Sequence, residues 1–226
     1  MLEVNRREIK YAITISQATL LQNKLTYVMH EDPHNGIDGY SVKSLYFDTL
    51  YDRDLNDKLN GCLNRQKIRL RVYGNSNIIK LELKEKSGEF QRKRSIILSQ
   101  GEALQIINGN LECLLHKQNA FSLYLYSKMK QDIYRPKCVI EYKRKAFFLE
   151  TNNTRVTFDS EISSDVIDFN IFNNNCLTPS HNSSWLTLEI KYSEFLLSSI
   201  KQMLCSDLGL STSIGKYAMC REFWNL

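Results

Sequence analysis

The sequence predicts an α+β protein: an eight-stranded antiparallel β-barrel that forms a tunnel, with helices packed outside it. Three observations carry this expectation. The stretches KIRLRVYG (67–74) and KLELKEK (80–86) alternate strictly between apolar and charged residues, the two-residue period of a strand with one greasy and one ionic face. The same texture recurs on most of the other strand-like segments. Helical segments between the strands offer cover for the greasy faces, and a closed barrel removes the edges that an open antiparallel sheet would expose.

In chain order, a first strand is read at Arg6–Thr14 and a helix at Ser16–Met29. HEDPHNGIDG (30–39) is a loop by its turn residues. A second strand covers Tyr40–Thr49, and LYDRDLNDKL (50–59) after it is helical. The two alternating stretches follow as third and fourth strands around a turn at Gly74–Asn77, and SGEF (87–90) turns into a fifth, QRKRSIILS (91–99). Two helical segments fit between Gly101 and Asp132, the better one NAFSLYLYSKMKQ (119–131). KCVIEYKRKAFFLE (137–150) and TRVTFDSEI (154–162) are the sixth and seventh strands, joined by the turn TNN. An irregular Asn-rich connection, 165–183, leads to the eighth, SWLTLEIKYSEF (184–195), then to the helix LLSSIKQMLCSDLG (196–209) and a last helix in STSIGKYAMCREFW (211–224). No internal repeat or Pro/Ser linker divides the chain, so residues 1–226 are expected to form one domain.

Composition narrows the class without naming a function. Hydrophobic residues at 42% and charged residues at 24% are an ordinary globular mixture, and a formal net charge of +5 is too small to identify an anionic partner. No apolar run reaches the ~20 residues that span a bilayer. The N-terminus lacks the apolar core of a signal peptide, so the expected location is cytoplasmic. Cys62, Cys113, Cys138, Cys176, Cys205 and Cys220 show no paired metal spacing and read as free thiols, which leaves the sequons at Asn152 and Asn182 without meaning.

The ionic faces are the informative feature. Arg6, Glu8 and Lys10 share one side of the first strand; Lys67, Arg69, Arg71 and Tyr73 share one side of the third; Lys80, Glu82, Lys84 and Lys86 share one side of the fourth. Arg155, Thr157 and Asp159 are in phase on the seventh, and Glu189 and Lys191 on the eighth. On any single strand such a face normally meets water. Its recurrence on strands interleaved with helices favours an enclosed face instead, and the sequence leaves both readings open. If enclosed, the basic side chains suit phosphate oxygens, Arg by bidentate hydrogen bonds and Lys as a compact charge. Carboxylates among them handicap nucleic acid, so no nucleic-acid partner is expected; they suit Mg²⁺ or Mn²⁺ bridging phosphates.

The motifs REIKYAI, YSVKSLYFDT, KIRLRVYG, KLELKEK, KRKAFF, RVTFD, LEIKY and SIGKY, in this order from Arg7 to Tyr217, resemble the polyphosphate polymerase domain of vacuolar transporter chaperone (VTC) proteins. That family is part of the triphosphate tunnel metalloenzyme, or CYTH-like, superfamily, which also holds inorganic triphosphatases, RNA-capping triphosphatases and adenylate cyclases. The resemblance implies a triphosphate tunnel fold. It implies phosphate-binding roles for Lys10, Arg69, Arg71, Lys84, Lys93, Arg144, Arg155 and Lys216, with Arg92 or Arg94 replacing Lys93 if the register shifts. It makes Glu189 the carboxylate anchoring Mn²⁺ or Mg²⁺; Glu8 and Glu82 are added here as further metal or water-mediated ligands. Arg69, Arg71, Lys84 and Glu189 would carry catalysis. The implied activity is transfer of the ATP γ-phosphate to a polyphosphate chain. The same fold would serve a triphosphatase acting on tripolyphosphate or nucleotides, and a binding module for polyphosphate is the non-enzymatic alternative. The eukaryotic polymerases also carry an SPX domain and membrane helices; neither is seen in this sequence, so moving product across a membrane would require a separate membrane partner.

Other signals carry less. GLSTSIGKY (209–217) departs from a P-loop in glycine spacing and in having Tyr217 where Ser or Thr would bind Mg²⁺. His30 and His34 read as surface residues of a loop, and FSLYLYSKM (121–129) as helix packing. Tyr46 and Asp48 either project into the tunnel or form a structural salt bridge.

Overall fold

The structure is a computed structural model that describes residues 7–224 except 75, 89, 174–176, 181, 183, 206–207 and 214. Arg6, expected to open the first strand, lies outside the described residues, as do Cys176 and the side chain of Cys205. Eight long strands form one antiparallel sheet: β1 (Arg7–Thr14), β2 (Tyr40–Asp48), β3 (Asn64–Tyr73), β4 (Ile79–Ser87), β5 (Phe90–Leu98), β6 (Arg135–Leu149), β7 (Thr154–Asp165) and β8 (Trp185–Tyr192). They are hydrogen-bonded in the order β1-β8-β7-β6-β2-β3-β4-β5, and the two-residue strands His30–Glu31 and Thr178–Pro179 add to β6 and β7. The sheet curls until Lys84 on β4 reaches Glu8 on β1, 3.1 Å away, although the edge strands β1 and β5 share no ladder among the described residues. The result is the antiparallel tunnel architecture that the alternation predicted, closed at its seam by side chains.

Two apolar layers cover the convex surface. The helices α3 (Gln100–Ile107) and α4 (Ala120–Gln131) and the 3-10 turn at Glu112–Lys117 pack on Leu45, Phe47, Ile68, Leu70, Leu81, Leu83 and Ile96. The helices α1 (Ile15–Leu25) and α5 (Ser198–Cys205) pack on Ile13, Val156, Phe158, Leu188 and Ile190. Local chemistry sets where these helices start. Thr14 and Gln17 form a reciprocal capping box at α1, and Ser99 and Glu102 another at α3. Asn119 caps α4 by accepting from the Ser122 amide.

The helices α2 (Arg53–Leu59) and α6 (Lys216–Trp224) lie instead against the concave side. There Val42, Tyr46, Cys138, Ile140, Tyr142 and Ile162 interrupt the ionic pattern with an apolar patch, and Leu55, Tyr217, Ala218 and Cys220 bury it. The Tyr46 and Tyr217 rings stack at 5.0 Å. Helix α6 begins at Lys216, five residues later than the sequence reading placed it.

Register then places the charges. Glu8 opposes Lys191 and Lys10 opposes Glu189 between β1 and β8; Lys67 opposes Lys84 and Arg69 opposes Glu82 between β3 and β4. A register shift between Glu141 and Lys143 leaves Arg144 opposite Asp159. Gly39 makes the approach of the preceding loop possible: its φ is +90°, and a Cβ there would overlap the carbonyl oxygen of Arg144. Gly39→Ala is therefore expected to cost at least about 2 kcal/mol of stability, from backbone strain and displacement of Arg144, read as a lowered urea midpoint with unchanged slope. An unchanged midpoint would contradict this close approach.

Candidate functional site

The bore is built by default from what the convex face excludes. On β3, Ile68 and Leu70 are fully buried beneath α3 and α4, so Lys67, Arg69 and Arg71 between and beside them must point inward. The same alternation turns Glu82 and Lys84 inward from β4, and Glu8 and Lys10 from β1.

Each carboxylate in the bore faces at least two cations. Glu82 accepts from Arg69 Nε at 2.7 Å and lies 2.5 Å from Lys93 Nζ. Asp159 takes a bidentate contact from Arg144 at 2.6 and 2.8 Å and another from Lys216 at 2.5 Å. Glu8 lies 2.7 Å from Lys10 and 3.1 Å from Lys84. Glu189 lies 3.0 Å from Lys191, 3.6 Å from Arg144 and 3.7 Å from Lys10. Burial alone would raise the carboxylate pKa values, but these cations win. Glu8, Glu82 and Asp159 are each pulled down to about 2, and Glu189 is held well below the usual carboxylate range.

Two bore cations have no carboxylate within ion-pair distance among the described residues, although Arg71 acts on Glu82 and Glu8 on Lys67 through space. Arg71, only 4% exposed, donates to Ser44 Oγ at 2.9 Å, Tyr142 OH at 3.3 Å and Tyr73 OH at 3.5 Å, all neutral groups. Lys67 makes no hydrogen bond or ion pair among the described residues, and burial followed by Lys84, Lys10 and Arg69 pushes its ammonium well below the ordinary lysine range. Lys191, half-buried beside Glu189, is also lowered, with desolvation outweighing that partner. The bore thus carries a surplus of positive charge in a shielded place, an arrangement that favours an entering polyanion.

Arg69, Arg71, Lys84, Glu189, Lys10, Arg144, Lys216, Glu8 and Glu82 all converge on this network. The β4–β5 register pairs Lys84 with Lys93 and so turns Lys93 inward. Arg94 faces outward, between the rings of Phe121 and Tyr124 and paired with Glu85. Arg155 is held by Asp32 at 2.5 Å and Tyr40 OH at 3.2 Å. Tyr46 accepts from Arg69 at 3.2 Å and belongs to the network. Asp48 pairs with no lysine: it accepts from the amides of Thr49, Asp54 and Leu55 at the start of α2 and from Tyr217 OH, so it is a structural brace. Asp159, Lys191 and Lys67 joined the network without having been singled out as site residues, although phase along their strands had aligned each with a chosen neighbour.

Among the described residues no three His, Cys, Asp or Glu side chains gather to cage an ion. Glu8 and Glu189 both contact Lys10 and influence each other electrostatically, whereas Glu82 is committed to Arg69 and Lys93. Two carboxylates fit Mg²⁺ or Mn²⁺, which commonly bind through one or two carboxylates and complete their shells with phosphate oxygens and water.

A family model described as VTC domain matches residues 5–225. No curated protein matches the chain. Among solved structures, HpAC1 from Hippeastrum, whose description reports a dominant triphosphatase activity, is 14% identical over 95% of this chain and 94% of that one, with a TM-score of 0.57. The PH1819 protein of Pyrococcus horikoshii is 10% identical over 97% and 98%, at 0.49. A chain of the Schizosaccharomyces pombe Mediator head module is 8% identical over 91% and 97%, at 0.54. At these identities the likeness to HpAC1 and to the Mediator chain concerns fold alone.

Asp159→Asn should destabilise the free protein by roughly 3 kcal/mol, because Arg144 and Lys216 lose their shared charge. The depressed Asp159 pKa adds a sign: its stabilisation is complete above the unfolded-state value near 3.8 and disappears as pH falls through about 2. Denaturant curves should accordingly weaken less steeply over that acid window in the variant than in the parent protein.

Proposed function

The chain belongs to the VTC domain family, and from that premise we propose that it is a metal-dependent polyphosphate polymerase. It would transfer the ATP γ-phosphate to the end of a polyphosphate chain held in the bore. The observation that carries this reading is Arg71, a buried guanidinium whose hydrogen bonds among the described residues all go to neutral hydroxyls, beside carboxylates that are each divided among several cations. Triphosphate and polyphosphate supply the missing negative charge.

In the transfer, an oxygen of the acceptor's terminal phosphate forms a bond to the γ-phosphorus, the β–γ bridge breaks, and ADP leaves with that electron pair. The acceptor is already ionised, so no protein base is required. Arg69 and Arg71 would grip the terminal phosphates, and Lys10, Lys84, Lys93, Arg144, Arg155 and Lys216 would hold the remaining oxygens in line. Such a transfer depends on positioning and charge stabilisation, with no covalent nucleophile from the protein. Phosphate oxygens would replace carboxylates on Lys10 and Lys84, releasing Glu8 and Glu189 to hold Mn²⁺ or Mg²⁺. That ion, when bound, supplies charge neutralisation on the phosphates.

Incubation with ATP and Mn²⁺ should yield long chains on a gel. Orthophosphate as the sole product would assign the bore to triphosphate hydrolysis, and no product with retained polyphosphate affinity would leave a binding module. Glu189→Gln should lower turnover at least about 100-fold while sparing polyphosphate binding, and a fully active variant would remove Glu189 from the metal role. Arg71→Met should weaken tripolyphosphate binding about tenfold or more by calorimetry, a loss expected for an unpaired charged donor.

A further inference from the structure

Beyond the Arg69–Arg71 centre, a cavity of about 260 Å³ opens between α2, the start of α6 and the paired ends of β3 and β4. Glu8, Lys10 and Lys84 line the cavity and also belong to the charge network described above, so the cavity adjoins that network. The cavity also contains Lys58, Arg65, Lys67 and Lys86. None of these four has a carboxylate partner among the described residues; Arg65 donates to the Cys62 carbonyl at 2.9 Å. All four are half-buried, and the neutral walls are made by Gly215, Tyr217 and Ala218.

The carboxylates nearby do not relieve these cations. Glu85 is paired with Arg94 on the outer face, and Glu8 is divided between Lys10 and Lys84. Asp54 is engaged by Tyr134 OH at 2.9 Å, and burial followed by the neighbouring Asp48 raises its pKa to about 7, so it carries little charge in mildly acidic solution. Lys58 is lowered by burial and then by Arg65, Lys10 and Lys86, in line with the depressed Lys67. Glu8 opposes this lowering of Lys58 and Lys67, but none of the four cations in the recess forms an ion pair among the described residues. Arg65 and Lys86 also border a wider cleft of about 890 Å³, which gives the recess a route outward.

We infer that this recess is a second anion subsite, in which Lys58, Arg65, Lys67 and Lys86 hold phosphates of a linear polyphosphate beyond those bound at Arg69 and Arg71. The inference rests on the reading of the bore as a phosphate-chain site and adds a length preference to it. A triphosphate fills the centre and leaves the recess empty. A longer chain continues into the recess and gains contacts with ammonium groups that otherwise repel one another. The same recess does little for ATP, whose base and ribose offer no anionic groups to these lysines.

The test is calorimetric titration of the full chain, at fixed ionic strength, with tripolyphosphate, a longer linear polyphosphate and ATP. The parent protein should bind the longer chain about tenfold or more tightly than tripolyphosphate, and the Lys58→Met/Lys86→Met variant should lose that advantage while binding tripolyphosphate within about threefold of the parent. Lys58→Arg/Lys86→Arg, which keeps both charges, should retain the advantage. If the double variant melts, Lys86→Met alone gives the same comparison. A parent protein without length preference, a variant that keeps it, ATP gaining as much as the longer chain, or equal loss for both phosphate lengths would overturn the subsite while leaving the bore reading intact. Failure of the parent protein to bind any of the three ligands would overturn the bore reading itself.

Discussion

The two-residue period of the strands couples the protein's core to its charge. Ile68 and Leu70 on β3, and Leu81 and Leu83 on β4, are fully buried under α3 and α4. Their alternating neighbours have no freedom to turn towards water. A slip of one residue would expose the greasy row and bury the ionic one against helices, so apolar packing on the outside enforces the electrostatics inside. Desolvation of the inward charges is offset by sharing: Arg144 and Lys216 meet on Asp159, Arg69 and Lys93 on Glu82. The sharing is uneven by design of the sequence, and Arg71 and Lys67 are left with positive charge to spare.

Much of this was legible because it depends on phase alone. Arg69, Arg71, Lys84 and Glu189 each sit in an unbroken alternation, so the strand assignment sufficed to place them together. Lys93 needed the pairing register, since QRKR contains three candidates and only alignment with Lys84 selects among them. Asp48 was ambiguous for another reason: its partners are backbone amides of α2, which leave no trace in side-chain pattern. Asp159 and Lys191 were visible in phase, but their importance comes from cross-strand partners distant in sequence. The inward position of α2 and α6 was hidden as well. Val42, Ile140 and Ile162 lie within strands the sequence marks, and only the curled sheet reveals that they sit on the concave side.

Helix α6 joins covering and charge in one short element. Tyr217 stacks on Tyr46 and donates to Asp48, fixing the helix against β2 and α2. The preceding residue, Lys216, thereby reaches Asp159 and lies 4.6 Å over the Tyr142 ring. Arg221 secures the same helix from the other side through a bidentate contact with Asp52. The network at Asp159 is consequently as well positioned as a site on the sheet itself, although one of its members comes from the last helix.

The seam between β1 and β5 has a topological consequence. Glu8 and Lys84 clasp it across the bore, and Thr212 donates to the Lys10 carbonyl along the outer side of β1, but no backbone ladder crosses the gap among the described residues. Parting two side chains breaks no sheet hydrogen bond. A wall of this kind has a lengthwise joint made by side chains, like the gate of a snap hook.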